Sequence, residues 1–131
     1  MMQLARAYRS TQTSTASPLQ LIVSLYDGAQ RFLAEAERAF EAQDAAAGRT
    51  GIVRVQRIIL ELMAVLDHDR GGELATSLFR LYQYMIDRLA IARQNNGGPE
   101  IQEVAGMLQD LRAAWVEADR QLRQRQGSGG A

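Results

Sequence analysis

Apolar residues recur along the chain in steps of three and four, the spacing of one helix face. The first such stretch runs from about Pro18 to Gln43. Ile22, Leu25, Ala29, Phe32, Ala36 and Ala39 form one row, with Leu19, Tyr26, Leu33 and Phe40 beside it. A second stretch starts between Asp44 and Thr50 and reaches Leu66 through Ile52, Val55, Ile59 and Leu62. The glycines at 48 and 51 weaken its first turns, because glycine is a poor helix former. A third, from near Gly72 to near Asn95, carries Leu74, Leu78, Leu81, Met85, Leu89 and Ala92. A fourth begins at Pro99 and reaches about Leu122 through Ile101, Val104, Leu108, Leu111, Trp115 and Ala118.

The period-two alternation of strands is missing. Each stretch is roughly 22 to 26 residues, or about 33 to 39 Å of helix. Short connections near Asp44, at Asp67–Gly71 and at Asn96–Gly98 make consecutive helices antiparallel neighbours. The pattern predicts an all-α fold, an antiparallel up-down-up-down four-helix bundle.

The breakers agree. Both prolines stand where a helix begins: Ser17, Pro18 and Gln20 form a capping-box start, and Pro99 is followed by Glu100 in a first turn. Residues 1–17 stand apart as an N-terminal tail. Its run RSTQTSTAS has little to bury, while Leu4 and Tyr8 ahead of it share one face of a helical turn. A mobile segment with a short extra helix is expected there, the bundle over 18–126, and a flexible tail over 127–131.

Composition narrows the chemistry. With 131 residues the chain fits one domain. Fifteen basic residues, all arginine, balance fifteen acidic ones, and a net charge of zero argues against non-specific nucleic-acid binding. There is no cysteine, which removes thiolate metal sites, thiol nucleophiles and disulfides. A di-iron bundle needs a Glu-x-x-His pair on two helices; the single His68 is expected in a loop between Asp67 and Asp69. No catalytic triad can be assembled from it. Gly71-Gly72-Glu73 is too short for a phosphate loop and lacks its lysine. It reads as a helix end followed by a new start. No apolar run is long enough to span a bilayer, and the N-terminus has no signal-peptide pattern, so the cytoplasm is the expected location.

Two features exceed what a bundle core needs. Gly28 lies inside the first helix, where it serves either a close helix crossing or a notch for a partner's side chain. The apolar faces are also wide: Leu21, Val23, Val53, Ile58, Leu60, Val65, Phe79 and Ile86 lie beyond the main rows. They are core, or in part a partner face or dimer face.

The run Ser17-Pro18-Leu19-Gln20-Leu21-Ile22, then Leu25-Tyr26-Asp27-Gly28-Ala29, resembles the first-helix signature of the flagellar export chaperones. Ile58-Ile59 with Glu61-Leu62 resembles that family's second helix. Leu66-Asp67, Gly71-Gly72-Glu73-Leu74-Ala75 and Leu81-Tyr82-Gln83-Tyr84-Met85 resemble its third, and Glu103-Val104, Leu111-Arg112 and Ala114-Trp115 its fourth. Val55, where a small alanine is usual, and Ala92-Arg93, where asparagine often follows the alanine, are departures.

The resemblance implies a non-enzymatic chaperone without cofactor or metal. Its expected partners are the disordered C-terminal segment of flagellin and the cytoplasmic domain of the flagellar export gate. It would hold flagellin against premature polymerisation and deliver it for export. The expected partner-binding residues are Leu4, Tyr8, Leu21, Leu25, Tyr26, Asp27, Gly28, Ala29, Gly72, Glu73 and Leu74. Tyr8 belongs to the tail and to gate contact, Leu25–Ala29 to the first-helix signature and Gly72–Leu74 to the third. The alternative is a self-associating bundle whose spare apolar surface is a homodimer face.

Overall fold

A computed structural model describes Ala7 and residues 18–129. Four helices follow in order: α1 Pro18–Glu41, α2 Ala45–Ala64, α3 His68–Gln94 and α4 Pro99–Gly129. The expected four-helix bundle is what forms. Cross-helix contacts give its direction. As α1 advances, Asp27, Gln30 and Glu37 meet Arg112, Ala105 and Gln102 of α4 in descending order. On α3, Tyr84 meets Glu103, and Arg88 also reaches back to Glu100. Each helix packs against its sequence neighbours, and α4 closes the ring on α1.

The turns are built by short-range hydrogen bonds. Gln43 takes a left-handed conformation (φ 65°), and the Asp44 N–H reaches the Ala39 carbonyl at 2.8 Å. This pairing satisfies carbonyls that a helix end leaves open. Asp44 then caps α2, its Oδ1 accepting from the Ala47 N–H at 3.1 Å. One residue thus ends one helix and starts the next. The α3–α4 turn repeats the device with Asn96 (φ 54°) and a Gly97-to-Ala92 bond of 2.8 Å. Gly97 and Gly98 follow at positive φ, and Pro99 begins α4.

Burial refines the expected rows. On α1 the buried residues are Leu19, Ile22, Tyr26, Ala29, Leu33, Ala36 and Phe40. The core axis therefore runs between the two predicted rows, leaving Leu25, Phe32 and Ala39 half-buried on the α2 side. On α2 the whole predicted row is buried. On α3, Ala75 and Tyr82 replace Leu74 and Leu81 in the core. Trp115 is fully buried as expected, its ring centroid 6.5 Å from that of Tyr26. The Tyr26 and Tyr82 hydroxyls hydrogen-bond to each other in the interior.

Three expectations are corrected. First, Gly48 and Gly51 are contact points and not merely weak helix positions. A Cβ at Gly48 would overlap the Phe40 ring, and one at Gly51 would stand 2.8 Å from the Ala36 Cβ. Second, His68 is not in a loop. It opens α3, behind the cap Asp67, whose Oδ1 accepts from the Arg70 N–H. Third, α4 continues past Leu122, and the helix includes Gly127 to Gly129, where a tail was expected to start.

α3 is interrupted at Gly72, whose φ of 52° and ψ of −126° are outside the helical range. A Cβ there would meet nothing within 4 Å. The glycine is required by backbone conformation alone. The break has a geometric result. Eleven residues of unbroken helix would separate His68 from Phe79 by about 16 Å along the axis. Their rings instead meet edge to face at 5.8 Å, so the first turn of α3 is folded back over Phe79.

Candidate functional site

The first-helix signature divides among three surroundings. Tyr26 and Ala29 are wholly inside the core and present no surface to a partner. Asp27 is exposed and grips Arg112 of α4, with Nε to Oδ1 at 2.5 Å. This pairing raises the Arg112 pKa above its ordinary value. Leu21, Leu25 and Gly28 are half-buried on the side of α1 that faces α2. The third-helix signature divides likewise. Gly72 and Glu73 are exposed, and Leu74 packs half-buried against the core. Those of the expected site residues that are described are therefore not brought together. They mark the break in α3, the α1–α2 seam, the α1–α4 ion pair and the centre of the bundle.

Leu4 and Tyr8 lie outside the described residues. Between them Ala7 is described. It is fully buried, and its carbonyl accepts the Asp67 N–H at 2.7 Å. Ala7 is thus tied to the α2–α3 turn.

Gly28 is not at a tight crossing. A Cβ there would sit 3.7 Å from the Ile58 Cδ1, an ordinary contact. Gly28→Ala is therefore expected to stabilise the bundle by up to about 1 kcal/mol, the helix-propensity difference between the two residues. Thermal or urea denaturation measures this directly. A destabilised variant would show that the seam needs glycine for packing.

Part of the apolar surface that the core leaves over lies between α2 and α3, while Val65, Tyr84, Ile91 and Val116 are exposed elsewhere. Gln56 marks the side of α2 that faces α3: its Nε2 donates to the Ile86 carbonyl at 3.1 Å. Val53, Leu60 and Met63 lie on that same side by helical spacing. Leu60 is 52% exposed and the other two are half-buried. Across from them, Phe79 and Ile86 of α3 are half-buried too. The result is an apolar strip over about 15 Å of α2, ending near the folded-back turn of His68. The signal for it was present in the sequence, as apolar residues beyond the main rows.

The opposite side of α3 is polar. Tyr84 donates to Glu103 Oε2 and Arg88 Nε to Glu103 Oε1, both at 2.6 Å. The Tyr84 hydrogen bond, then that of Arg88, holds the Glu103 carboxyl below its ordinary pKa. The same carboxylate raises the pKa of Tyr84 and Arg88. The folded state thus binds this proton less tightly than the unfolded chain does. The stabilisation is complete above the ordinary glutamate range and is lost as pH falls through the lowered folded value. Wild type is expected to melt above Glu103→Gln at pH 7, and the gap should narrow as pH falls below the ordinary glutamate range. A gap independent of pH would assign the effect to packing.

Among the described residues no group of three or more His, Asp or Glu side chains is placed to hold a metal ion. No described helix is long and apolar enough to cross a membrane.

The class that the fold defines is the all-α antiparallel four-helix bundle, here with an apolar strip on one face. Comparison with known proteins gives the family. The sequence profile described as "Flagellar protein FliS" matches residues 1–122. The flagellar secretion chaperone FliS of Salmonella typhimurium is 42% identical over 104 residues, covering 79% of this chain and 77% of its own. FliS of Bacillus subtilis is 36% identical over 125 residues, covering 95% and 92%. A crystal structure titled as a flagellar chaperone from bacteria superposes with a TM-score of 0.76 at 22% identity, covering 92% of this chain and 98% of that one. The chain belongs to the FliS family of flagellar secretion chaperones. These are chaperones and not enzymes.

Proposed function

We propose that the protein is a cytoplasmic export chaperone that binds the disordered C-terminal segment of flagellin. It keeps flagellin from polymerising early and delivers it to the cytoplasmic domain of the flagellar type III export gate. Family membership supports the chaperone role, and the observation that carries the client reading is the α2–α3 apolar strip. An amphipathic segment that folds as it binds would lay its apolar face along such a strip. Leu60 is the residue best placed to meet it, since burying a leucine side chain contributes about 1.5–3 kcal/mol. The family resemblance assigns Leu4 and Tyr8 to client or gate contact.

Titration calorimetry of the full chain with the C-terminal segment of flagellin from the same organism tests this reading. Binding at micromolar concentration or tighter is expected, and Leu60→Glu should weaken it by about tenfold or more. Absence of binding at micromolar concentration would overturn the assignment of the client. Unchanged affinity in the Leu60 variant would move the client to another face.

A further inference from the structure

The chain has equal numbers of acidic and basic residues, but their pairing is uneven. Arg70, Arg88, Arg112, Arg120 and Arg123 each lie in an ion pair. Arg49, Arg54 and Arg57 on the outer face of α2 are in none of the ion pairs among the described residues. They line a depression of about 410 Å³ whose other walls are Thr50 and Val53. Arg54 is also held in place, its guanidinium carbon 5.5 Å from the centre of the Phe32 ring. Arg31 lies at 5.3 Å from the same ring. Stacking on an aromatic face orients a guanidinium and leaves its N–H edge free to fork onto an oxyanion.

We propose that this arginine strip is a docking surface for an acidic peptide segment of a partner protein. Charge complementarity carries the choice of partner. Arg49 to Arg57 spans about 12 Å of helix, enough for carboxylates two turns apart on a helical segment or a few residues apart on an extended one. Guanidinium and carboxylate match in bidentate geometry. The apolar Val53 on the floor accommodates a side chain between the acids. The strip's dimensions disfavour a wider anion. Glu35 shares a neighbouring depression with Arg54, and the exposed Glu61 lies one turn beyond Arg57. A duplex or bilayer would set its phosphates against both glutamates, whereas a single peptide is as narrow as the strip. The proposal stands apart from the identity of the client on the apolar strip, although Val53 borders both.

The test uses the full chain and a fluorescent synthetic peptide of alternating glutamate and alanine, with its glutamine counterpart as control. Anisotropy titrations would be run in about 20 mM and about 150 mM salt, where screening lengths differ severalfold. Circular dichroism would verify the fold of each variant. The glutamate peptide is expected to bind in low salt and the glutamine peptide not. Arg49→Gln/Arg54→Gln/Arg57→Gln should weaken binding by about tenfold, the sum of three exposed pairs. Arg38→Gln/Arg80→Gln/Arg125→Gln, which removes the same charge elsewhere, should leave it within about twofold. Equal losses in both variants, or no preference for glutamate over glutamine, would overturn the proposal. So would tighter binding of wild type to single-stranded DNA or phosphatidylglycerol vesicles than to the peptide.

Discussion

Trp115→Ala is expected to destabilise the protein by about 3–5 kcal/mol, the range for removing a large buried aromatic side chain. Domains of this size are stable by only about 5–15 kcal/mol, so much of the folding free energy depends on one residue. The reason is position. Trp115 comes from α4 and is completely buried. It packs near Tyr26 of α1, whose hydroxyl meets that of Tyr82 on α3. Three helices therefore share one aromatic layer, and alanine would leave a cavity that rigid neighbours cannot fill. Trp115 is the sole tryptophan, so urea unfolding of the variant must be followed by far-ultraviolet circular dichroism. A loss below about 1 kcal/mol would mean that the layer collapses onto the gap. Trp115→Phe, which keeps the layer occupied, should fall between wild type and alanine.

Gly51→Leu is expected to lower stability by about 2–3 kcal/mol, against the usual direction for replacing a glycine inside a helix. Propensity alone favours leucine there by most of 1 kcal/mol. Sterics outweigh it. A Cβ on residue 51 stands 2.8 Å from the Ala36 Cβ and 3.3 Å from its Cα. Ala36 has no flexible side chain to move aside, so relief requires α1 and α2 to separate, an overpacking effect of about 1–3 kcal/mol or more. Chemical denaturation of both variants, Gly51→Leu and Gly28→Ala, makes the contrast within one interface. Stabilisation of both would show that the two helices are looser than their glycines imply.

That contrast also shows how far the sequence was legible. Helix number, order and the bundle followed from apolar spacing, because a stripe three or four residues apart must find a partner stripe. The α2 row was read residue by residue, since Ile52, Val55, Ile59, Leu62 and Leu66 recur there as one unbroken series of three- and four-residue steps. The α1 core was not, because two adjacent apolar rows leave its rotation undetermined until Phe40 and Ala36 meet the glycines of α2. The same glycines looked only like weak helix formers, for the contact that requires them comes from another helix. His68 looked like a loop residue because the break at Gly72, and not the histidine, carries the change of direction. Of the candidate site residues, Tyr26 and Ala29 were recognisable as a signature, but a signature does not separate what is touched by a partner from what holds the helices together.

The shared residue between α1 and α2 has a consequence for how the chain tolerates changes in length. Asp44 closes the first helix through its backbone N–H and opens the second through its carboxylate. No spare residue separates the two roles. Adding or deleting one position after this joint would turn α2 by about 100° about its axis. Gly48 and Gly51 would leave α1, and the apolar strip and the arginines would rotate together to new sides. The α1–α2 turn is therefore a fixed phase setting for the whole outer surface of α2, and insertions belong elsewhere on the chain.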